Sequence, residues 1–196
     1  METRFELWDP PYRESEVAMK LGLPSSQVEL VPYTPQWDRL FREEAARLKS
    51  VLGSYVVDIQ HIGSTAIPGI MAKPILDIAV ALKHISDVEK CIAPLEALGY
   101  EYKGEQAEIK GWHFFTKGKG DVKTHHLHMV EHSSDFWVTR LLFRDYLRER
   151  RDLAEAYVRL KQDLAQQFHD ARKAYTDGKA DFIQLVVDSA QSRDSD

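Results

Sequence analysis

In Pro74-Ile75-Leu76-Asp77-Ile78-Ala79-Val80-Ala81-Leu82, large apolar residues recur at every second position, and a carboxylate stands at one of the positions between them. A period of two is the mark of a strand with one face in a core. Leu76, Ile78, Val80 and Leu82 therefore predict a buried face, and Asp77 and Ala79 project from the other, where a charged group needs a cleft. Strands to pair with this one are read at Val28–Pro32, Tyr55–Ile62, Tyr100–Lys103, Trp112–Lys117 and Val122–Glu131, the last two joined across Gly118-Lys119-Gly120-Asp121. Thr34 as cap and Pro35 at the first position open a helix with Trp37, Leu40, Phe41, Leu48 and Leu52 on one side. Asp87–Leu98 is a second helix, stopped by Gly99. From Ser134 the pattern is helical throughout, over Phe136–Arg150, Asp152–Ala171 and Asp177–Ala190.

Strands first and helices last predict an α+β domain, a mixed sheet with flanking helices and a helical C-terminal part from about residue 134. It is expected to span residues 28–196, preceded by an N-terminal arm, residues 1–27, broken by Pro10-Pro11 and Pro24-Ser25-Ser26 and lying on the surface or against a partner. The chain's 26 Lys and Arg against 31 Asp and Glu give a net charge of −5, which argues against nonspecific binding along a nucleic-acid backbone and leaves room for a small anionic ligand in a local basic pocket. Cys91 is the only cysteine, so a disulfide framework and a thiolate zinc cluster are excluded, and it reads as core. Ile75–Leu82 is far too short to span a bilayer. These features predict a soluble cytoplasmic protein with no membrane association.

Gly63-Ser64 precedes the Asp77 strand by a polar, glycine-punctuated connection, the arrangement found in polymerase-beta-like nucleotidyltransferases. In that arrangement the glycine lets the backbone approach a triphosphate, Ser64, Thr65 and nearby amides bind its oxygens, and two carboxylates on one strand face hold metals. Ala79 stands where the second carboxylate is needed. On Val122–Glu131, Leu127 and Met129 share one face, which sends His126 and His128 to the side of Asp77. One reading makes Asp77, His126 and His128 ligands of a divalent metal (Mn, Zn or Mg), with imidazole favouring a transition metal. The other makes the histidines neutral hydrogen-bonding groups in a polar cleft. His61 is expected to reach the same cleft, His84 and His169 the surface, and His132 a turn. Lys73 stands between the Gly-Ser turn and Asp77, where an ammonium neutralises phosphate, and Arg144, Arg148, Lys161 and Lys179 are further candidates from the helices, against the reading that they are solvated. Trp112, Phe114, Trp137 and Phe143 read as core.

Longer blocks carry a resemblance. His61-Ile62-Gly63-Ser64-Thr65-Ala66-Ile67-Pro68-Gly69, Ala72-Lys73-Pro74-Ile75-Leu76-Asp77, His125-His126-Leu127-His128-Met129-Val130, Leu142-Phe143-Arg144-Asp145-Tyr146-Leu147-Arg148 and Leu160-Lys161 resemble the GrpB family, over about Val28 to Ala190. The resemblance implies a nucleotidyltransferase-like fold. Some members are fused to dephospho-coenzyme A kinase, and members share the missing second carboxylate. The Gly-Ser turn and the Asp77 strand, taken with these blocks, make nucleotidyl transfer from a nucleoside triphosphate to a small acceptor one expectation, with Asp77 as the catalytic candidate and Gly63, Ser64, Thr65, Lys73, Arg144 and Lys161 on phosphate or nucleotide. Two alternatives stay open: a noncatalytic protein that binds a nucleotide or coenzyme A-like ligand or assists a partner enzyme, and a different metal-dependent reaction on the same fold.

Overall fold

A computed structural model describes residues 20–193, so most of the expected N-terminal arm lies outside the described residues. In chain order the elements are β1 (Leu23–Pro24), α1 (Gln36–Leu52), β2 (Val56–Ile62), β3 (Leu76–Leu82), α2 (Val88–Ala97), β4 (Tyr100–Glu105), β5 (His113–Lys119), β6 (Val122–Glu131), α3 (Asp135–Glu149), α4 (Arg151–Gln167), α5 (Arg172–Asp177) and α6 (Ala180–Arg193). The sheet runs β2-β3-β6-β5-β4, with β1 added at the start of β6. β3 and β6 are parallel and the other pairs antiparallel, so the sheet is mixed, as the order of strands and helices predicts. A parallel pair needs a long crossover; here it is α2 followed by the β4–β5 hairpin.

Every residue of β3 except Asp77 is buried. Leu76, Ile78, Val80 and Leu82 join Leu127, Met129 and Phe115 in the main core, closed by Trp37, Leu48 and Leu52 of α1 and Val88, Cys91 and Leu95 of α2. Each such side chain contributes about 1.5–3 kcal/mol of burial. Cys91 lies within this core, where burial pushes its thiol up to about 11. On the opposite face Ala79, Ala81, Ile62 and Val130 meet Phe136 and Trp137 of α3. The C-terminal helices build their own cluster around Phe143, Leu147, Tyr157 and Val186, into which Ile67 and Ile70 of the connection after β2 insert. The second face is therefore covered in part, and it stays open at the Asp77 end. No helix among the described residues is long and apolar enough to cross a membrane.

The differences from expectation have local causes. Val28–Pro32 forms no strand; Val31 alone bridges to Ala72, and Pro32 beside it has no amide to extend the ladder. The described end of the arm is bound into the sheet instead: Leu23 is fully buried, and the Gly22 amide donates to the Pro74 carbonyl at 2.7 Å. The helix expected to run to Ala171 stops at Gln167, and α5 occupies residues assigned to a connection.

His61 does not reach the cleft. Alternation turns it to the covered face, where its ring stacks on Phe41 with centroids 4.7 Å apart and its Nε2 lies 2.9 Å from Thr65 Oγ1. His125 shares that face, and burial pushes both imidazoles down to about 4. Because the unfolded rings titrate near ~6.5, the unfolded chain takes up protons first on acidification. Stability is therefore complete above that value and falls as pH drops toward 4, by on the order of 2–3 kcal/mol for each ring. Urea unfolding at pH 7.5 and pH 5 measures this loss. His61→Phe is expected to flatten the slope; an unchanged slope would remove His61 as its source.

Candidate functional site

The parallel register sets Asp77 opposite His126 and Ala79 opposite His128. Partners in register point to the same side of a sheet, so the carboxylate, the two imidazoles and the Ala79 methyl share the open face. β5 adds Thr116 opposite His126 and Phe114 opposite His128. Thr116 Oγ1 is buried and has no partner among the described residues.

Hydrogen bonding fixes the tautomers. The Trp112 indole N–H donates to His128 Nδ1 at 3.1 Å, and Arg172 Nη2 lies 3.1 Å from His126 Nε2. A guanidinium and an indole N–H only donate, so both of those ring nitrogens accept, and each ring carries its proton on the other nitrogen. Those N–H groups face Asp77 Oδ1, from His126 Nδ1 at 3.0 Å and from His128 Nε2 at 3.8 Å. Burial opposes the charge on Asp77, yet the two imidazoles outweigh it and hold the carboxyl well below the usual carboxylate range. About a third of the side chain, 31%, remains open to the cavity.

The expected metal set is therefore not presented. Asp77, His126 and His128 do converge, but the imidazole lone pairs face Trp112 and Arg172 rather than a shared point. No group of three His, Cys, Asp or Glu able to hold a metal ion occurs among the described residues. Ala79 offers no oxygen at the neighbouring position. These residues do not fit the carboxylate-bound metal that the nucleotidyltransferase arrangement implies.

Around the carboxylate opens a cavity of about 680 Å³. Gly63, Ser64 and Thr65 form one side of it; the Thr65 hydroxyl is taken by His61 and the Ile75 carbonyl. Lys73, Arg140, Arg172 and Lys179 line the inner part. The Lys73 and Lys179 ammoniums lie 5.1 and 4.5 Å from the centre of the Tyr175 ring. Burial, then Arg172 and Lys179, push Lys73 down to about 7; burial, with Arg140 and Arg172, pushes Lys179 down to about 8. Lys103 and Lys123 also line the cavity and are paired with Glu101. Trp112, Phe114 and Phe136 make an aromatic wall around His128, with Trp112 and Phe136 centroids 5.0 Å apart.

Of the residues expected on phosphate, Gly63, Ser64, Thr65 and Lys73 border this cavity, and Arg144 and Lys161 do not. Arg144 is buried against Asp145, Gln60 and the His61 carbonyl. Lys161 is buried and donates to the Met71 carbonyl, with its ammonium 4.6 Å from the Tyr157 ring centre. Arg148 likewise holds the Ala66 carbonyl, through Nε and Nη2 at 3.1 and 2.8 Å. These three cations fasten the backbone around the Gly-Ser turn instead of meeting a ligand. Arg140, one turn before Arg144, is the arginine of α3 that reaches the cavity, and the spacing Arg140, Arg144, Arg148 was the available signal. Arg172 had none, because its helix is a single short turn. Trp112 and Phe114, expected in the core, are half-buried on the cavity wall; Trp137 and Phe143 are buried.

Gly63 makes this geometry possible. Its φ is +69°, and a Cβ there would lie 2.5 Å from Asp77 Oδ2. Gly63→Ala is expected to displace the carboxylate and to destabilise the fold by roughly 1–3 kcal/mol, measured by chemical denaturation. A substitution tolerated within about 0.5 kcal/mol would mean that the turn and Asp77 are not coupled.

Residues 27–189 match the family model described as GrpB protein. The chain is 40% identical over 168 residues to the UPF0157 protein YqkA of Bacillus subtilis (strain 168), covering 86% of this chain and 48% of YqkA, so it spans about half of that relative. It is 38% identical over 171 residues to the glutamate-rich protein GrpB of Alkalihalophilus pseudofirmus, covering 85% of this chain and 98% of that protein. The crystal structure of GrpB from Enterococcus faecalis superposes with a TM-score of 0.78 at 34% identity, covering 86% of this chain and 100% of that one. A Cid1 poly(U) polymerase with bound Mg 3'-dATP superposes with a TM-score of 0.50 at 15% identity, over 69% of this chain and 43% of the polymerase, a likeness of fold alone. The matched blocks, the sheet order and the carboxylate–histidine register come together in one conclusion: this chain belongs to the GrpB family and has a nucleotidyltransferase-like fold.

Proposed function

We propose that the cavity binds a phosphate-bearing small molecule of the nucleotide class. The observation that carries this reading is the charge balance: four inner cations, Lys73, Arg140, Arg172 and Lys179, surround one carboxylate that already accepts the His126 N–H and faces that of His128. Partly buried positive charge that exceeds its internal partners is stabilised by an anion. The aromatic wall beside it, Trp112, Phe114 and Phe136, suits a planar group stacked on or edge to the rings. Phosphates toward Ser64, Lys73 and Arg172 and a base toward Trp112 is the orientation that satisfies both ends. A second reading, nucleotidyl transfer from a nucleoside triphosphate to a small acceptor, is favoured by the open third of Asp77, which offers an acceptor hydroxyl a hydrogen-bonding carboxylate beside the Gly-Ser turn. Ala79 weighs against it, and binding without catalysis is the simpler use of the same residues.

Calorimetric titration with AMP, ADP, ATP and dephospho-coenzyme A tests the reading. Lys73→Glu and Arg172→Glu are each expected to weaken binding by at least about tenfold, the loss of one charge-assisted contact of roughly 1.4 kcal/mol. Wild-type affinity in both variants would sink the proposal. Incubating triphosphates with candidate acceptors and following pyrophosphate release separates transfer from binding alone.

The pH dependence follows from the two lysines. Lys73 is faced by Arg172 and Tyr175 of α5, by Lys179 and by Asp77; Lys179 is faced by Tyr175, Arg140, Arg172 and Asp77. With the amines pushed down to about 7 and about 8, the free cavity loses positive charge as pH rises through that range, and an anion favours the protonated forms. Binding is expected to take up protons near pH 8 and to weaken about tenfold or more between pH 6.5 and pH 9. Lys73→Arg should flatten this profile; a profile unchanged in Lys73→Arg and Lys179→Arg would assign it elsewhere.

A further inference from the structure

We infer that the cavity takes its phosphate ligand as the free polyanion, with no divalent metal between Asp77 and the phosphates, the inner lysines and arginines supplying the neutralisation instead. This inference rests on the nucleotide reading above and adds the form in which the ligand is bound.

The first argument is the state of the carboxylate. A metal that bridges a strand carboxylate to phosphate needs carboxylate lone pairs directed at the cavity. Asp77 Oδ1 accepts from His126 and faces the His128 Nε2–H at 3.8 Å, and Oδ2 lies so close to Gly63 that a methyl there would approach to 2.5 Å. A cation bound at Oδ1 would have two imidazole N–H groups pointing at it, so each ring would have to turn and give up its bond to Trp112 or Arg172. The second is the neighbouring position: Ala79, in register with His128, contributes a methyl group. Third, the positive charge comes from the chain itself, the two lysines keeping or taking up their protons as an anion enters. Lys73, Arg140, Arg172 and Lys179 all act on the same small volume as Asp77, since each feels its field. A divalent ion there would face four fixed cations across one carboxylate. A phosphate chain relieves their mutual repulsion instead.

The experiment is an ATP titration of the full chain in excess EDTA and again with Mg in excess over nucleotide. Chelation by Mg removes part of the phosphate charge that the cations recognise. Affinity is therefore expected to be higher in EDTA, by about tenfold, or roughly 1.4 kcal/mol. Equal or tighter binding with Mg overturns the inference and leaves the nucleotide reading standing. Absence of binding by any of the tested nucleotides in either medium brings down that reading and this one together. Asp77→Asn gives a second measurement: with the opposing negative charge gone, ATP in EDTA should bind as tightly as to the wild type or more tightly. Loss of ATP binding by a variant that still melts cooperatively would restore a ligand-holding role to Asp77. Where the variant does not fold, the wild-type comparison between EDTA and Mg decides by itself.

Discussion

The parallel pairing of β3 with β6 is the constraint on which the rest of the site depends. Parallel strands put residues in register on the same face, and a shift by one position exchanges the faces. Leu76, Ile78 and Val80 on one strand and Leu127 and Met129 on the other hold the register by burial in one core. Asp77 then has no freedom to stand anywhere but beside His126, nor Ala79 beside any residue but His128. The chemistry of the open face is thus set from behind it, by the apolar contacts of the covered face. The same register brings the His126 N–H to Asp77 at 3.0 Å and the His128 ring between Trp112 and the carboxylate.

The C-terminal helices complete the site in two separate ways. Arg140 and Lys179 bring charge into the cavity, while Arg144, Arg148 and Lys161 hold backbone carbonyls of His61, Ala66 and Met71. Those carbonyls bracket the Gly63–Lys73 connection. Arg144 keeps a carboxylate partner in Asp145, but Lys161 is enclosed by a carbonyl and the Tyr157 ring, and burial pushes its ammonium well below the ordinary lysine range. Such enclosure is costly for a charge. What it yields is a turn whose carbonyls are drawn toward the helices, with Ile67 and Ile70 anchored in the helical cluster. The loop that borders the cavity is therefore fastened by apolar side chains and cations together.

Much of this was legible in the sequence because periodicity reports burial directly. β3, β6, α1 and α3 lie within a few residues of the segments read from alternation and helical spacing, and the common face of Asp77, His126 and His128 follows from the same alternation. Alternation does not say what a charged residue in a distinctive block will meet: Lys161 meets a backbone carbonyl, and Arg144 meets Asp145, Gln60 and the His61 carbonyl. Nothing local to Lys161 or Arg144 says whether an ammonium or guanidinium will meet a phosphate or a carbonyl. The answer depends on the angle at which a helix crosses the sheet. Arg172 and Trp112 were invisible for the same reason, since each acts through a histidine on another element. Their effect is to fix the tautomers, which turns a metal-like cluster of residue types into a hydrogen-bonded carboxylate.

The cavity's charge gains meaning from the exterior. The whole chain carries −5, yet the inner surface concentrates Lys73, Arg140, Arg172 and Lys179 around a single acid. At physiological salt the reach of an exposed charge is about 8 Å, so a large polyanion running along a chain whose acids outnumber its bases, 31 to 26, gains little from cations that lie below the surface. A small anion that enters the cavity leaves those acids behind and is brought within a low-dielectric enclosure where the same cations act far more strongly. The chain's net charge of −5 and the basic lining of the cavity thus differ in sign, a division that suits the proposed small anionic ligand. The Lys103 and Lys123 ammoniums, held by Glu101, fit this division, since charge already paired with an acid adds little pull on a passing strand.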